Sequence, residues 1–222
     1  MAGIKQIGIA PFKEDRWLIK TLDKYLRGEF SPMEAGKFYP SALGNPCDRY
    51  LYFAYNGFIT ERPLHAKLQR IFDNGNYLED RMADYFANLD ILISREEKVQ
   101  HENPPISGRV DFILAHDIHE NIALELKSIN ARGFNNLRKG PKAEHEIQLQ
   151  IYLNLLPLAQ GVILYENKND QRLKAFELKR DAAAWKTITN RCLSIMEMIE
   201  APENCGGNQW CQCKSVTLTG PQ

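Results

Sequence analysis

The sequence has no excess of charge of either sign. Its 222 residues include 28 Lys and Arg against 28 Asp and Glu, so the formal net charge is zero. Proteins that hold nucleic acid or an anionic membrane through their overall charge are strongly basic, which excludes this chain from that class. A polyanionic partner would have to be held by a local basic patch or through a metal ion.

Long apolar runs are missing as well. No stretch approaches the ~18 consecutive apolar residues of a membrane-spanning helix. The first residues, MAGIKQIGIAPFKEDRW, acquire charges too early for a secretory signal. These absences predict a cytoplasmic protein with no membrane partner. In that compartment the five cysteines are expected to bind metal or to be buried, rather than to form disulfides.

Internal repeats, low-complexity tracts and Gly/Ser linkers are also absent, and the chain is long enough to bury a substantial core. We predict one integrated domain with a helical N-terminal region (1–90), a core (91–200) and a cysteine-rich tail (201–222). Apolar residues at helical spacing predict helices in the N-terminal region. These cover 13–28, 47–57 and 65–88, the last with a break or kink at Asn74-Gly75.

The middle of the chain changes to strand patterns. The predicted strands cover 91–100, 108–114, 122–128, 161–168 and 173–179. A loop over 132–142 and the helical stretch AEHEIQLQIYLNLLPL separate the third strand from the fourth. A long amphipathic helix follows Asp181, a good N-cap, and runs to Glu200. The pattern predicts an α/β fold with a central mixed β-sheet flanked by helices.

Charged residues interrupt two of the buried-looking strands. Asp111 lies in GRVDFIL, and Glu125 and Lys127 lie in IALELKS. Because side chains alternate between the faces of a strand, Glu125 and Lys127 project from the same side. If the two strands pair, Asp111 can approach Glu125. Two carboxylates beside a lysine suggest a site for a hard divalent cation such as Mg²⁺, which would offset the cost of burying the acids.

On these three residues alone, the simpler interpretation is a surface strand pair carrying a solvated Glu–Lys pair. Downstream, His145, Gln148 and Tyr152 are three and four residues apart and line one stripe of a helix. Upstream, Gly75-Asn-Tyr-Leu-Glu79 places an acid one turn after a glycine. The order of these motifs along the chain favours the metal site over the solvated pair.

Together, Asp111 and Glu125-Leu126-Lys127 resemble the signature of the PD-(D/E)xK nuclease superfamily, with Val110 where the family usually has proline. The H-x-x-Q-x-x-x-Y helix and the G-x-x-x-(H/E) segment resemble its RecB-like exonuclease branch. The resemblance implies a restriction-endonuclease-like core and hydrolysis of DNA with Mg²⁺ or Mn²⁺. The metal ligands that it implies are Glu79, Asp111, Glu125 and the backbone carbonyl of Leu126. Lys127 would position the attacking water, and Gln148 and Tyr152 would orient Lys127 or the scissile phosphate.

The cysteines form a second pattern. Cys47 opens the segment CDRYLY, and Cys205, Cys211 and Cys213 close the chain, whereas Cys192 lies in a helix and is expected to be ordinary core. This arrangement resembles the iron–sulfur RecB-like nucleases of the AddB and CRISPR-associated types, in which four thiolates hold a [4Fe–4S] cluster. The terminal spacing here is C-x5-C-x-C instead of the usual C-x2-C followed by a third cysteine. Four thiolates suit Zn²⁺ equally well on chemistry alone, and free buried cysteines are the third possibility.

A basic loop, RGFNNLRKGPK, follows the strand that carries Lys127. Single-strand DNA sites combine cations with aromatic side chains. The residues expected to contact DNA are Arg49, Tyr50, Arg132, Arg138, Lys139 and His145.

The sequence therefore predicts a metal-dependent DNA exonuclease acting on single strands or DNA ends, in replication, recombination or repair. The compact size and the absence of a helicase segment suggest a stand-alone phage or mobile-element enzyme. Two alternatives remain open: a catalytically silent DNA-binding or assembly module stapled by a metal, and a hydrolase of some other phosphoester. The motifs set neither the polarity of digestion nor the oligomeric state.

Overall fold

The computed structural model describes residues 16–30, 34–59, 62–116, 121–156, 158–205 and 211–215. The helices are α1 Arg16–Tyr25, α2 Pro40–Leu43, α3 Asp48–Tyr55, α4 Ala66–Asn88, α5 Ala131–Asn136, α6 Ala143–Leu155 and α7 Ala182–Met196. The strands are β1 Gly28–Phe30, β2 Arg62–Leu64, β3 Leu92–His101, β4 Ile106–Ala115, β5 Asn121–Ile129, β6 Gln160–Asn167 and β7 Leu173–Lys179. Much of the predicted tail, at 206–210 and 216–222, lies outside the described residues.

A five-stranded mixed sheet in the order β3-β4-β5-β6-β7 forms the centre of the molecule. The only parallel pair among its described strands is β5–β6, and the other neighbours are antiparallel. A parallel pair needs a long crossover, and here the crossover contains α5 and α6. The predicted α/β fold with helices around a central mixed sheet is confirmed.

Side-chain alternation along β5 supplies both faces of the sheet with apolar residues. Ala123 faces α6, where it packs in one cluster with Leu149 and Leu153. Leu124 and Leu126 face the other way and pack with Leu78 and Met82 of α4. Because β5 is covered on both sides, any polar side chain in it must be buried or must open into a cavity between the helices.

A third apolar cluster joins α3, α7 and the cysteines near the chain end. Arg191 of α7 ties this part together with three hydrogen bonds. Its guanidinium donates to Asp48 Oδ1 at 2.7 Å, to the Leu43 carbonyl at 3.0 Å and to the Asn45 carbonyl at 2.7 Å. The segment between α2 and α3 is therefore fixed against α7.

Two details differ from the sequence predictions. The helix over 65–88 has no break at Asn74-Gly75, because α4 runs continuously from Ala66 to Asn88. The Asn74 side-chain amide donates to the Arg70 carbonyl at 2.9 Å. The loop predicted over 132–142 contains α5 and a 3₁₀ turn. Asn130 starts α5 by accepting a hydrogen bond from the Gly133 amide at 2.8 Å. Among the described helices, none is long and apolar enough to cross a membrane.

Alanine substitutions at two glycines are expected to change the free energy of unfolding in opposite directions. A Cβ at Gly44 would lie 2.5 Å from the backbone oxygen of Glu144, so α2 and α6 would have to separate. We expect Gly44→Ala to destabilise the protein by about 1–3 kcal/mol. A Cβ at Gly75 would meet nothing within 4 Å, and Gly75→Ala should stabilise α4 by about 0.5–1 kcal/mol. Urea unfolding of the two variants checks both signs, and a loss of stability in Gly75→Ala would contradict the continuous helix.

Candidate active site

The two acids from neighbouring strands lie side by side. Phe112 of β4 and Leu124 of β5 form the last pair of the β4–β5 ladder, and Asp111 and Glu125 are the next residues beyond it. The Asp111 carboxylate accepts a hydrogen bond from the Leu126 amide at 2.7 Å. That bond fixes one oxygen of Asp111 and directs the carboxylate toward β5.

Glu125 is fully buried and ion-paired with Lys127 through Oε1. Its other oxygen, Oε2, is buried with no hydrogen-bond partner among the described residues. Burial, followed by the charge of Asp111, raises the pKa of Glu125 to about 8. A buried carboxylate oxygen without a donor is costly, and a cation is the ligand that would satisfy it.

Lys127 is ion-paired with Glu125 and lies within electrostatic range of Asp111. Burial alone would lower the pKa of its ammonium, but Glu125 and Asp111 outweigh burial and raise that pKa. Burial also raises the pKa of Asp111, against the opposing effects of Lys127 and the Leu126 amide. The three groups therefore form one electrostatic unit with two acids and one cation.

Glu79 reaches the same region from α4. Burial and then the charge of Asp111 raise the pKa of Glu79, and Arg95 lies 3.8 Å from its Oε2. Glu79 and Asp111 line one cavity. Within the described residues, however, only the four cysteines gather three or more ligand atoms into a metal-holding group. Glu79 is thus near the acid pair without yet converging on it.

Helix α6 contributes the Gln and Tyr of the predicted stripe. Gln148 donates to the Tyr152 hydroxyl at 3.1 Å, and both side chains are buried at the wall of the cavity. Burial and then the charge of Glu125 raise the pKa of Tyr152, so its hydroxyl stays neutral. His145 instead contacts the Tyr165 hydroxyl at 2.7 Å. Burial and then Lys127 lower its pKa to about 4, which keeps the imidazole neutral.

The cavity in front of the acids has a volume of about 640 Å³. Besides the predicted residues, its lining includes Tyr39, Pro40 and Ser41 at the start of α2 and several polar side chains of the sheet. Those side chains are Glu96, Lys98, Gln100, Ser107 and Arg109. None of these five belongs to a motif that the sequence displays. The one signal was the alternation of polar residues at 96, 98 and 100, and it could be used only with the pairing of β3 and β4 known.

The side chains predicted to contact DNA lie elsewhere. The Arg49 guanidinium donates to the Pro202 carbonyl at 2.6 Å and stacks over Phe53, while Tyr50 is buried beside the cysteines. Arg138 and Lys139 are exposed on the 3₁₀ turn after α5, and Arg132 is exposed in α5 itself. None of these five lines the described cavity.

The four cysteines of the predicted set come together. Cys47 caps α3, where its Sγ accepts from the Tyr50 amide. That sulfur lies 3.6 Å from the sulfurs of both Cys205 and Cys213, and all four sulfurs, including that of Cys211, lie within 4.8 Å of one another. Cys192 is buried apart from them in α7, as expected for a core residue.

The sulfur spacing bears on which cofactor the cysteines could hold. Four thiolates at 2.3 Å from one tetrahedral ion are about 3.8 Å apart. In a [4Fe–4S] cluster each thiolate binds a different iron, which spreads the four cysteine sulfurs to roughly 6 Å. The sulfur distances, 3.6 Å for two pairs and within 4.8 Å for all four sulfurs, are closer to the spacing around a single ion.

No protein-family model and no curated protein matches the sequence. Solved structures do match the fold. The crystal structure of SSO0001 has 20% sequence identity and a TM-score of 0.54, covering 84% of this chain and 86% of that one. The alkaline exonuclease LHK-Exo from Laribacter hongkongensis has 14% identity and a TM-score of 0.53, with coverage of 80% and 90%. Its complex with dAMP has 15% identity and a TM-score of 0.52, with coverage of 72% and 86%. The chain therefore shares the fold of these solved structures, in agreement with the α/β core predicted from its sequence.

Proposed function

We propose that the chain is a DNA exonuclease that hydrolyses phosphodiester bonds with Mg²⁺ or Mn²⁺. The observation that carries this proposal is the unpartnered, buried Oε2 of Glu125 beside Asp111 and Lys127. A structural protein has no use for an acid pair that costs stability, whereas a hard cation needs oxygen ligands of this kind. The fold shared with an alkaline exonuclease supports the same reaction.

Asp111 and Glu125 would hold the cation, with Glu79 and the Leu126 carbonyl as further ligands. When bound, the ion would polarise the phosphate and lower the pKa of water. Lys127 would hold the attacking water and stabilise the negative charge that develops on the phosphate oxygens. Gln148 and Tyr152 are bonded to each other at the cavity wall, where they would orient the scissile phosphate. His145 would support this wall through Tyr165.

The cavity suits a nucleotide at the end of a DNA strand. Its volume of about 640 Å³ and its polar lining accommodate a nucleotide with its phosphate. The structure of LHK-Exo with dAMP is consistent with such a product. We propose single strands or DNA ends as the substrate, in DNA replication, recombination or repair, including that of phages.

Incubation with end-labelled single-stranded and double-stranded oligonucleotides tests the activity. We expect mononucleotide products with Mg²⁺ or Mn²⁺ and none with EDTA. Binding of DNA without cleavage under every metal would favour the silent DNA-binding module instead. Cleavage of a small phosphodiester but not of oligonucleotides would favour a hydrolase of other substrates.

We propose that the four-cysteine site holds one tetrahedral ion, Zn²⁺, which is the alternative that the sulfur spacing favours over the [4Fe–4S] cluster. The purified protein should be colourless and contain one equivalent of zinc. Cys205→Ser should lower both the zinc content and the melting temperature, because the ion joins α3 to the chain end. A brown protein with broad absorption near ~400 nm would show iron–sulfur and overturn the assignment. Cys192→Ala, outside the site, is the control and should retain its zinc.

A further inference from the structure

Two cations face each other on the sheet beside the acid pair. Lys98 of β3 pairs with Arg109 of β4, and Gln100 pairs with Ser107 two residues farther along each strand. All four side chains line the same cavity as Asp111. Arg109, like Asp111, projects from the cavity face of β4 because the two residues are separated by one intervening position.

Like charges directly opposite each other across a ladder destabilise an antiparallel pair. Glu96 offsets part of this repulsion through an ion pair with Arg109 at 3.1 Å, in which both side chains are about half exposed. The part of the chain that the structure describes gives Lys98 no carboxylate partner within ion-pair distance. An anion bound between the two cations would remove the repulsion and pair Lys98.

The distance between the Lys98–Arg109 pair and Asp111 indicates which kind of anion would bind there. Two residues along an antiparallel strand span about 7 Å, so the Lys98–Arg109 pair is displaced by about this distance from Asp111. That step is similar to the distance between neighbouring phosphates of an extended nucleic-acid strand. Farther from Asp111, the neutral donors of Gln100 and Ser107 continue the same line.

Other cations near the site are already occupied. Arg95 is held by Asp80 at 2.7 Å, and Lys127 by Glu125. Arg81 lies against Glu166 at 2.5 Å. Lys98 is therefore the lysine of the cavity lining without a carboxylate partner among the described residues, and Arg109 has only its half-exposed ion pair with Glu96, which solvent screens.

The geometry points to a second phosphate subsite, formed by Lys98 and Arg109, that binds the phosphate next to the scissile one. The substrate strand would run from the acid pair along the β3–β4 face toward Gln100 and Ser107. This inference rests on the proposed nuclease function and extends it, because it gives the direction of the strand across the sheet.

Neutralising one phosphate of the substrate tests the subsite. Oligonucleotides would carry a single methylphosphonate immediately 5′ or immediately 3′ of the terminal scissile bond. In the wild type, we expect one of the two positions to weaken binding about tenfold, and the other to have little effect. The double variant Lys98→Ala/Arg109→Ala should bind the normal strand about tenfold more weakly and lose nothing further with the sensitive methylphosphonate.

Binding is measured by fluorescence anisotropy in Ca²⁺, so the result does not depend on cleavage. If the methylphosphonate weakens binding by the double variant as much as it weakens binding by the wild type, the two losses of affinity are additive. That result would overturn the subsite and leave the nuclease proposal intact. Absence of cleavage in Mg²⁺ with the binding pattern retained would overturn only the nuclease proposal. Lys186 is exposed on α7 and does not line the cavity. The control variant Lys186→Ala, which removes a positive charge there, should bind both oligonucleotides as the wild type does.

Discussion

Lys127→Met is expected to lower the rate of DNA cleavage by a factor of about 10³ or more and to change DNA affinity by only a few-fold. The Lys127 ammonium lies beside both acids, and its side chain is only 23% exposed. In the proposed reaction it would therefore act on the reacting phosphate rather than on the rest of the strand. Single-turnover cleavage in Mg²⁺ gives the rate, and anisotropy in Ca²⁺ gives the affinity.

A general loss of folding could imitate this result, because Lys127→Met leaves the Glu125 carboxylate without its cation. The double variant Glu125→Gln/Lys127→Met removes both charges and serves as the folding control. It should melt near the wild type and remain inactive. If Lys127→Met cleaves DNA within tenfold of the wild-type rate, Lys127 has no catalytic role in the reaction.

Glu125→Gln is expected to abolish cleavage and to stabilise the metal-free protein. In the wild type, Glu125 is ion-paired with Lys127 through Oε1, and its fully buried Oε2 has no donor among the described residues. Because the pKa of Glu125 is raised to about 8, folding at neutral pH has to protonate a carboxyl that is ionised in the unfolded chain, and the uncharged amide avoids this cost. The expected gain in unfolding free energy is roughly 1–3 kcal/mol at neutral pH.

Divalent metal should reverse the order of stabilities. Mg²⁺ or Mn²⁺ stabilises the protein that binds it in proportion to RT ln(1 + [L]/Kd), and Glu125→Gln would lack one of the proposed ligands. Thermal melts in EDTA and in increasing Mn²⁺ should therefore cross, with the wild type more stable at high metal. Asp80→Asn, on the exposed side of α4, is the control for loss of an acid. Parallel curves without a crossing would show that Glu125 does not bind the ion.

Local sequence patterns were sufficient to predict the strands and the face of the strand on which a side chain lies. Glu125 and Lys127 share a face because they are two residues apart, and the strand on which they lie was predicted within a residue of its bounds. The same holds for β7 and for the start of α7 after Asp181. The break expected at Gly75 was wrong, because propensity is a weak guide inside a helix whose second half is held by core contacts of Leu78 and Met82.

The cavity wall could not be predicted in the same way. Lys98 and Arg109 are eleven residues apart, and only the register of β3 against β4 places them opposite each other. Arg49 shows the reverse problem: its charge suggested a substrate contact, but the backbone of the chain end takes up its donors. Charge is visible in a sequence, whereas the partner that a charge finds depends on long-range packing.

The sulfur pair Cys47–Cys213 joins positions 166 residues apart, and this separation has a consequence for biosynthesis. During translation, Cys47 leaves the ribosome early, and its three partners follow only after every strand of the central sheet has been made. An ion cannot be bound by all four sulfurs until the whole central sheet has been synthesised. The sheet and α7 can therefore fold before the site is complete. An ion bound there would stabilise a structure already formed, unlike in zinc fingers, in which metal binding drives folding.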